Sequence, residues 1–435
     1  MSLESLPNEL IARICDYAGK DDLMILRLAN KSTSVLATRS FSTRYMACIS
    51  VLMTQTCLER LIAICEHPSF GPCIRRIHIT SGRIHPGFVA ELASETASLL
   101  SNNNRTQEQA VAAKVTLQRC LKRSVDEYEL GKSGAATDLI SQAFTALQTY
   151  RTSVALHISS GTWTDWDLDH DTILLDWDGY DGHEPISDNC PKTTIQPCLE
   201  AIRRSKLQFT KLDLEIDEES SEATERAFNL DDFDEEEMEV FSALKSAKFE
   251  ADWPLHDSCL QSVSKIISCA KDLKAVQISN FVDFGDPEEG EHVATSLEEF
   301  EAGDHALKSI VSDHITDLTI ESLPISKESI FELLNKYRDT LRTLIINGCA
   351  MKNDSWIDII EWIKENLQSL SLLEITDLYE ARQQANTGPY LTYEIAVCGT
   401  PGAQIGMAKI QAALQTILDD PLFEPNSAAY DELFV

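Results

Sequence analysis

The sequence predicts an α/β protein in which three short helices open the chain and a body of short parallel strands with outer helices follows, interrupted by acidic insertions. Three observations lead to this class. Apolar residues recur at three- and four-residue steps near the N-terminus, an alternating apolar pattern recurs along the C-terminal half, and runs of carboxylates separate some of its copies. The 435 residues are enough for two or three domains, or for one elongated repeat body with an appendage.

The three N-terminal helices are predicted from residues 6–45. Ala18-Gly19 ends the first, Asp21 or Asp22 is expected to cap the second, and the third begins near Lys31. Three helices of this length cannot bury all their apolar side chains among themselves, so we expect part of this surface to be covered by something else. The apolar positions are Leu6, Leu10, Ile14 and Tyr17 in the first helix and Leu23, Leu26 and Leu28 in the second.

The same residues carry a resemblance to a known family. The order Leu6-Pro7-x-Glu9-Leu10, then Ile14 and Tyr17, then Asp22-Leu23 and Leu26-Arg27-Leu28-Ala29-Asn30-Lys31, resembles an F-box in the form common among fungal proteins. Two departures are Ala18, where the family usually has a larger apolar residue, and Ser32-Thr33, which replaces an aromatic residue often found there.

F-box proteins use this three-helix motif to dock onto a Skp-type adaptor, which links them to the cullin scaffold of an SCF ubiquitin ligase. The resemblance therefore implies an adaptor-binding surface. On this reading it is built from Leu6, Pro7, Leu10, Ile14, Leu23, Leu26 and Leu28.

Residues 46–150 are expected to be mainly helical, with a first strand near residues 74–80. A helix that places Leu58, Leu61, Ile62 and Cys65 on one side leads into this strand, and the segment resembles the one that follows the box in many fungal F-box proteins. Residues 99–150 read as helix, with Val111, Val115, Leu117 and Leu121 spaced for packing.

A recurring pattern of the form L-x-x-L-x-L predicts the strands of the body. Its central positions at 276, 318, 344 and 370 are separated by 42, 26 and 26 residues, and weaker copies occur near residues 154–158 and 209–214. A separation of 26 falls within the range of leucine-rich repeats, so we expect an irregular leucine-rich-repeat-like arc. Helices capped by Ser326 and Asp354 have the right length to lie outside it. An unrelated α/β arrangement stays open.

In such an arc, the residues that alternate with the apolar strand positions face the concave side. They are the candidate substrate-binding residues, and their acidic bias suggests a basic partner. The candidates are Asp213, Glu215, Gln277, Ser279, Thr319, Glu321 and Asn347, with Ile345, Ser371 and Leu373 beside them.

The charge of the chain limits its function classes. A net charge of −33 argues against nucleic-acid binding, which relies on patches of Lys and Arg. Residues 213–239 alone contain fourteen carboxylates and one Arg, and acidic loops are predicted near residues 163–190, 217–240 and 284–304. The chain has no apolar run long enough to cross a bilayer and no secretory signal, so we expect an intracellular protein, cytoplasmic and/or nuclear, without a membrane partner.

Two groups of residues contain possible metal ligands, and a structural role is favoured for both. Cys57, Cys65, His67 and Cys73 match no zinc module, and we expect the twelve cysteines to be small buried apolar residues. Alternating aspartates between Asp165 and Asp171 could offer oxygen ligands to calcium, but this segment lacks the Gly and Glu of an EF-hand loop. No catalytic motif occurs, so we predict a chain with no catalytic residue, metal or cofactor.

These observations give one leading prediction and two alternatives. Residues 1–45 would bind the adaptor, 46–150 would link, and 151–435 would hold a protein for ubiquitination, which makes the chain a non-catalytic substrate receptor of an SCF-type ligase. One alternative is a structural or regulatory scaffold that uses the F-box-like helices outside a cullin ligase. The other is a metal-regulated or enzymatic body.

Overall fold

The computed structural model describes residues 6–80, 107–150, 153–159, 173–175, 191–216, 230–251, 257–280, 297–352, 355–376, 378–381 and 391–393, together with residues 90, 92–94, 96–98 and 228. The chain divides into two compact units, Met1–Phe209 and Thr210–Val435. Both units are α/β, as the sequence predicts, and their core strands pair in parallel. The helices within the described residues are too short or too polar for any of them to cross a membrane.

Three helices occupy the N-terminal segment, as expected: α1 (Asn8–Tyr17), α2 (Lys20–Ala29) and α3 (Lys31–Tyr45). The residue that caps α2 is Gly19, and the expected caps Asp21 and Asp22 lie in its first turn, where their charge favours the helix dipole. The cap of α3 is Asn30, whose side chain accepts a hydrogen bond from the N–H of Thr33 at 2.9 Å.

The three helices share one apolar core with the chain that follows them. Phe70, which comes after α4 (Gln55–Glu66), belongs to this core. The guanidinium of Arg27 lies over the rings of Phe41 and Phe70, 5.0 and 5.1 Å from their centroids, which contributes about 0.5–1 kcal/mol per contact. The buried members of the core are Ile11, Cys15, Leu23, Ala37, Phe41, Tyr45, Met46 and Phe70.

The strands of the first unit are β1 (Cys48–Leu52), β2 (Arg76–Thr80), β3 (Val154–Ser159) and β4 (Ile173–Leu175). They lie in the order β4-β1-β2-β3, and every pair is parallel. The strand expected near residues 74–80 is β2, but β1 precedes it and no strand was predicted there. The expected apolar side of α4, from Leu58 to Cys65, is buried.

The other helices of this unit are α5 (Gln107–Ser133), α6 (Ala135–Gln148) and α7 (Pro191–Ser205). Helix is confirmed for residues 107–133 and 135–148, but the expected packing face of α5 is only partly right, since Leu117 alone of its four residues packs against a buried neighbour, Cys120. Val111, Val115 and Leu121 are exposed, whereas Cys120 and Leu130 are buried. Apolar spacing alone did not identify the buried stripe, because the valines of this helix are exposed and the buried stripe includes a cysteine.

The second unit alternates strands and helices along the chain. In order, its elements are β5 (Phe209–Ile216), α8 (Glu235–Met238), β6 (Ser246–Ala251), α9 (Asp257–Cys269), β7 (Ala275–Asn280), α10 (Leu297–Lys308), β8 (Asp317–Glu321), β9 (Pro324–Ile325), α11 (Lys327–Tyr337), β10 (Thr343–Asn347), β11 (Ala350–Lys352), α12 (Trp356–Asn366), β12 (Leu372–Thr376), β13 (Leu378–Ala381) and β14 (Leu391–Tyr393). The helix caps are Ser326 for α11, as expected, and Ser355 for α12, one residue after the expected Asp354, which lies outside the described residues.

Six strands of this unit, β5, β6, β7, β8, β10 and β12, pair in parallel in that order. Their buried positions stand in register at residues 212, 247, 276, 318, 344 and 373, so successive separations are 35, 29, 42, 26 and 29 residues. The fourth expected copy, centred on Leu370, is therefore three residues out of register: Leu373 pairs with Leu344, and Leu370 corresponds to Leu341 before the strand.

A smaller sheet lies beside these strands in the order β14-β13-β11-β9. Within this smaller sheet, β9, β11 and β13 pair in parallel, and they directly follow β8, β10 and β12 in the chain. Strands β13 and β14 pair antiparallel. The turn between β10 and β11 contains Gly348 at φ +61, with an added Cβ only 2.7 Å from Ser322 Oγ, so this position needs glycine.

Candidate functional site

Exposed apolar side chains are concentrated on the N-terminal helices. Seven of the thirteen large apolar side chains that are exposed among the described residues lie between residues 10 and 35. Five more lie along α5, and the last is Val311. The seven are Leu10, Ile14, Tyr17, Met24, Ile25, Leu28 and Val35. Monomeric proteins seldom leave such a group uncovered, so this surface is a candidate interface.

A groove of about 680 Å³ runs between α1 and α2 within this surface. Its walls are mainly apolar, and Arg13 and Asp22 are its charged members. Its lining consists of Leu6, Leu10, Arg13, Ile14, Tyr17, Ala18, Asp22, Ile25 and Leu26.

The residues predicted to bind an adaptor fall into three groups. Pro7, Leu10, Ile14 and Leu28 are exposed. Leu6 and Leu26 are half-buried, because they line the groove and also pack against the core of the three helices. Leu23 is fully buried in that core, so its assignment to a contact surface is wrong.

The prediction also missed four exposed members of the surface, namely Tyr17, Met24, Ile25 and Val35. Tyr17 had been placed on the apolar face of α1, and its exposed fraction of 90% is the largest among the exposed apolar side chains. At 3.6 residues per turn, Leu28 lies about 140° from Leu23 around α2, but which of these two sides is buried depends on how α1 and α3 pack against the helix. The missing signal is therefore tertiary.

Hydrogen bonds between α3 and α1 hold the surface in place. Arg44 Nη1 donates to the carbonyl oxygens of Asp16 and Ala18 at 3.1 and 2.8 Å, which satisfies carbonyl groups at the end of α1. Ser40 donates to the carboxylate of Asp16 at 2.8 Å, and Ser32 donates to the side chain of Asn8 at 3.1 Å. The relative position of α1 and α3 is thus fixed by polar contacts as well as by the apolar core.

The second candidate is the polar face of the six paired strands in the second unit, here called the polar strand face. On the opposite face the apolar positions from Leu212 to Ile375 are buried, while the alternating polar positions are mostly half-buried. One row contains Asp213, Lys248, Gln277, Thr319, Ile345 and Glu374; the next contains Glu215, Glu250, Ser279, Glu321, Asn347 and Thr376.

All seven substrate-binding candidates therefore share this face. Asp213, Gln277 and Thr319 lie in the first row, and Glu215, Ser279, Glu321 and Asn347 lie in the second. Of their expected neighbours, Leu373 is buried and Ser371 precedes the strand, because the register of β12 differs by three residues from the predicted one. The sequence reading also missed Lys248 and Glu250, since no strand was predicted at β6.

The polar strand face carries more carboxylates than cations. Lys211 Nζ lies 2.7 Å from Asp213 Oδ2, and Lys248 pairs with Glu250. Burial alone would lower the pKa of Lys248, but the hydrogen bond from Lys248 to Glu250 and the negative charges around it raise that pKa above its ordinary value. Glu321 accepts hydrogen bonds from Gln277 at 3.1 Å and from Ser279. A cationic partner would meet carboxylates that are already oriented.

The metal candidates gain no support. Within the described part of the chain, no three His, Cys, Asp or Glu side chains are grouped as metal ligands would be. Cys57 and Cys65 are buried, and burial raises the pKa of Cys65 to about 12, which disfavours the thiolate that zinc requires. The calcium candidate from Asp165 to Asp171 lies outside the described residues.

One histidine–serine contact is buried in the first unit. His78 Nε2 lies 3.1 Å from Ser159 Oγ, and the His78 ring stacks on His157 with centroids 4.1 Å apart. Both His78 and Ser159 are buried, in neighbouring strands, so we assign the contact to packing of the sheet.

Comparison of the chain with models of known protein families and with curated protein sequences found no match. The case for a function therefore rests on the sequence resemblance and on the two surfaces described above.

Proposed function

We propose that the chain is a non-catalytic substrate receptor of an SCF-type ubiquitin ligase, whose F-box-like helices α1–α3 dock onto a Skp-type adaptor. The supporting observation is the concentration of exposed apolar side chains on α1 and α2, around a groove of about 680 Å³, within the residues that resemble an F-box. Covering one large apolar side chain contributes about 1.5–3 kcal/mol. A partner that covers several of these side chains can offset the free-energy cost of association.

The second unit would supply the substrate surface in the same proposal. Its parallel strands, with a buried apolar face and a polar face, fit an irregular leucine-rich-repeat-like body. Parallel sheets usually have both faces covered by helices, so a half-exposed polar face favours a binding role. Its excess of carboxylates favours a protein substrate with basic patches.

The receptor contributes no chemical step in this proposal. It raises the effective concentration of the substrate beside a ubiquitin-charged enzyme that is held on the same cullin scaffold. Such a role requires the protein to be cytoplasmic or nuclear, where the ligase operates.

Adaptor binding is the first measurement. Leu10→Asp combined with Leu28→Asp changes two exposed side chains, so we expect the purified full chain to keep its unfolding midpoint and to lose binding to a purified Skp-type adaptor. The matched control is Val125→Asp combined with Val311→Asp, which adds the same charge at exposed apolar positions elsewhere. Equal binding by both double variants would refute the proposed docking surface.

One structural observation favours a scaffold outside a cullin ligase. Thr33 stands where the family often has an aromatic residue, and its Oγ1 is buried without a hydrogen-bond partner. A buried, unpaired hydroxyl at this position is a departure from the usual F-box pattern. Co-purification of a cullin with the adaptor and this chain would support the ligase, and an adaptor complex that excludes cullin would support the scaffold.

A further inference from the structure

The residues at the start of the six core strands in the second unit form a continuous row. From the second member onward, each donates a backbone hydrogen bond of 2.7 or 2.8 Å to the carbonyl oxygen of the member before it, so the row runs unbroken from β5 to β12. The members, here called the strand-start row, are Thr210, Lys245, Lys274, Thr316, Arg342 and Ser371. The sheet thus places side by side residues that are far apart in the chain.

Charge changes sign along these strands. The strand-start row contains three cations and no carboxylate, whereas the two rows of the polar strand face contain one cation and five carboxylates. The chain has 70 acidic residues against 37 Lys and Arg, so the strand-start row runs against the composition of the whole chain. Its three cations, Lys245, Lys274 and Arg342, are exposed. The second unit therefore has a cationic edge beside a carboxylate-rich face.

The carboxylates close to the strand-start row do not neutralise it. No ion pair joins Lys245, Lys274 or Arg342 to a carboxylate within the part of the chain that the structure describes. Asp317, the first residue of β8, accepts a hydrogen bond from the hydroxyl of the threonine before it at 2.6 Å. Asp272, two residues before Lys274, is exposed. The row keeps positive charge that a bound anion can neutralise.

Like charges are adjacent within the row. Lys245 and Lys274 lie side by side on neighbouring strands, about 4.8 Å apart, and like charges directly opposite each other are destabilising. Arg342 lies two strands further on, where its Nη1 donates to the carbonyl oxygen of Ser369 at 2.9 Å. From Lys245 to Arg342 the row spans three strand spacings, about 14 Å, which an extended chain covers in about four residues. A short acidic segment can therefore reach all three cations and relieve their repulsion.

We infer that the strand-start row binds a carboxylate-rich segment of another protein, laid in extended form across β6, β7, β8 and β10. A nucleic acid fits less well, because phosphates along its whole length would be repelled by a chain with a net charge of −33. A protein can present carboxylates at the edge alone, and a partner with both signs of charge would match the edge and the polar strand face together. The inference does not depend on adaptor binding.

Binding of a fluorescently labelled hexaglutamate peptide to the purified full chain tests the row. We expect binding at low salt that weakens as the salt concentration rises, because exposed charges are screened by ions. Lys245→Glu combined with Lys274→Glu should weaken binding by about tenfold or more, since attraction is replaced by repulsion at two positions. The matched control is Lys114→Glu combined with Lys122→Glu, which makes the same change of net charge at two exposed lysines of α5. This control should weaken binding by less than about twofold.

A single neutral substitution tests the row without introducing a new charge. Lys274→Ala removes one of two adjacent cations, so we expect its unfolding midpoint to be at least as high as that of the wild type. Hexaglutamate binding should nevertheless weaken by about three- to fivefold. The two measurements together separate a lost contact from a damaged fold.

A hexathymidylate oligonucleotide, which carries a similar number of negative charges, tests the class of partner. We expect it to bind more weakly than hexaglutamate at the same salt concentration. Sedimentation velocity of the wild-type chain and of the Lys245→Glu with Lys274→Glu variant tests whether a second copy of the chain occupies the row. We expect the two to have the same oligomeric state.

Four results would overturn the inference. They are no hexaglutamate binding by the wild-type chain up to about 1 mM peptide, equal weakening by the two double variants, tighter binding of the oligonucleotide through the same lysines, and self-association that the Lys245→Glu with Lys274→Glu variant loses. The proposed function is tested on α1 and α2, so it would survive each of these results. Conversely, absence of adaptor binding would leave the strand-start row and its test unaffected.

Discussion

Two leucines five residues apart on α2 have opposite roles. Leu23 is fully buried in the core of the three helices, whereas Leu28 is 88% exposed, although the sequence predicts an adaptor contact for both. A buried leucine stabilises the fold of the chain that contains it, and an exposed one can stabilise only a complex. The distinction divides the residues of the resemblance into those that build the helices and those that are free to contact a partner.

Alanine substitutions at the two leucines should separate these roles. Leu23→Ala is expected to lower the free energy of unfolding by about 2–5 kcal/mol, because it opens a cavity in a packed core. Leu28→Ala should change it by less than about 0.5 kcal/mol and should weaken adaptor binding instead. Urea unfolding of the two variants, followed by adaptor titration at a temperature where both are folded, measures each effect. A stable Leu23→Ala would contradict its place in the core.

Among the elements, α7 carries a polar cluster whose stability depends on pH. Hydrogen bonds from Arg203, at 2.6 Å, and from Arg204, also at 2.6 Å, lower the pKa of Glu200 below its ordinary 4.5 despite partial burial. Arg204 also lies 2.8 Å from Asp138 of α6, so the cluster joins two helices. A carboxyl group with a lowered pKa in the folded state stabilises that state only while it is ionised.

The lowered pKa of Glu200 determines the pH range in which this residue stabilises the fold. The contribution of Glu200 is fully present above pH 4.5 and is lost as the pH falls through its lower folded-state pKa. Glu200→Gln should therefore be less stable than the wild type by about 0.5–1 kcal/mol at neutral pH, after allowance for solvent screening, and the difference should vanish in acid. Glu129→Gln, at an exposed position on α5, is the control; a constant difference for Glu200→Gln at all pH values would contradict the assignment.

The elements also show how far the sequence could be read. α11 was predictable because Ser326 caps it and its apolar residues fall on one face. β7, β8 and β10 were predictable because valine, leucine or isoleucine marks their buried positions. β6 was missed because small residues take that role: Ala247 and Ala251 flank Phe249. The register error at β12 arose because Leu367 and Leu370, which precede the strand, are buried as well. A hydrophobic pattern indicates which residues are buried. It does not locate the strand, because residues outside strands are buried as well.

At the scale of the whole molecule, the cysteines behave as apolar core residues. The ten described cysteines are free thiols, and those at positions 15, 57, 65, 120, 198, 259 and 349 are buried. Burial raises the pKa of Cys349, like that of Cys65, to about 12. At pH 8 such thiols are almost entirely protonated, and the thiolate is the reactive form.

Alkylation of the native protein tests this arrangement. At pH 8, iodoacetamide should modify the half-buried Cys48 and Cys73 before Cys65 and Cys349, and all four should react after unfolding in urea. Peptide mass spectrometry gives the extent of modification at each position. Fast reaction of Cys65 in the native protein would show that α4 opens readily or that its packing differs from that described.

The core shared by the N-terminal helices and Phe70 limits which truncated forms of the protein would fold normally. Removing residues 1–45 would delete most of the side chains that cover Phe70 and Met46, and Ile64 and Cys73 would lose the packing they now have at its edge. The shortened chain would expose an apolar surface that is normally buried. This surface would attract chaperones and give misleading interaction partners. Substitutions at the exposed positions of α1 and α2 leave this core intact, so they are the better test of the proposed adaptor contact and of the proposed substrate surface on the second unit.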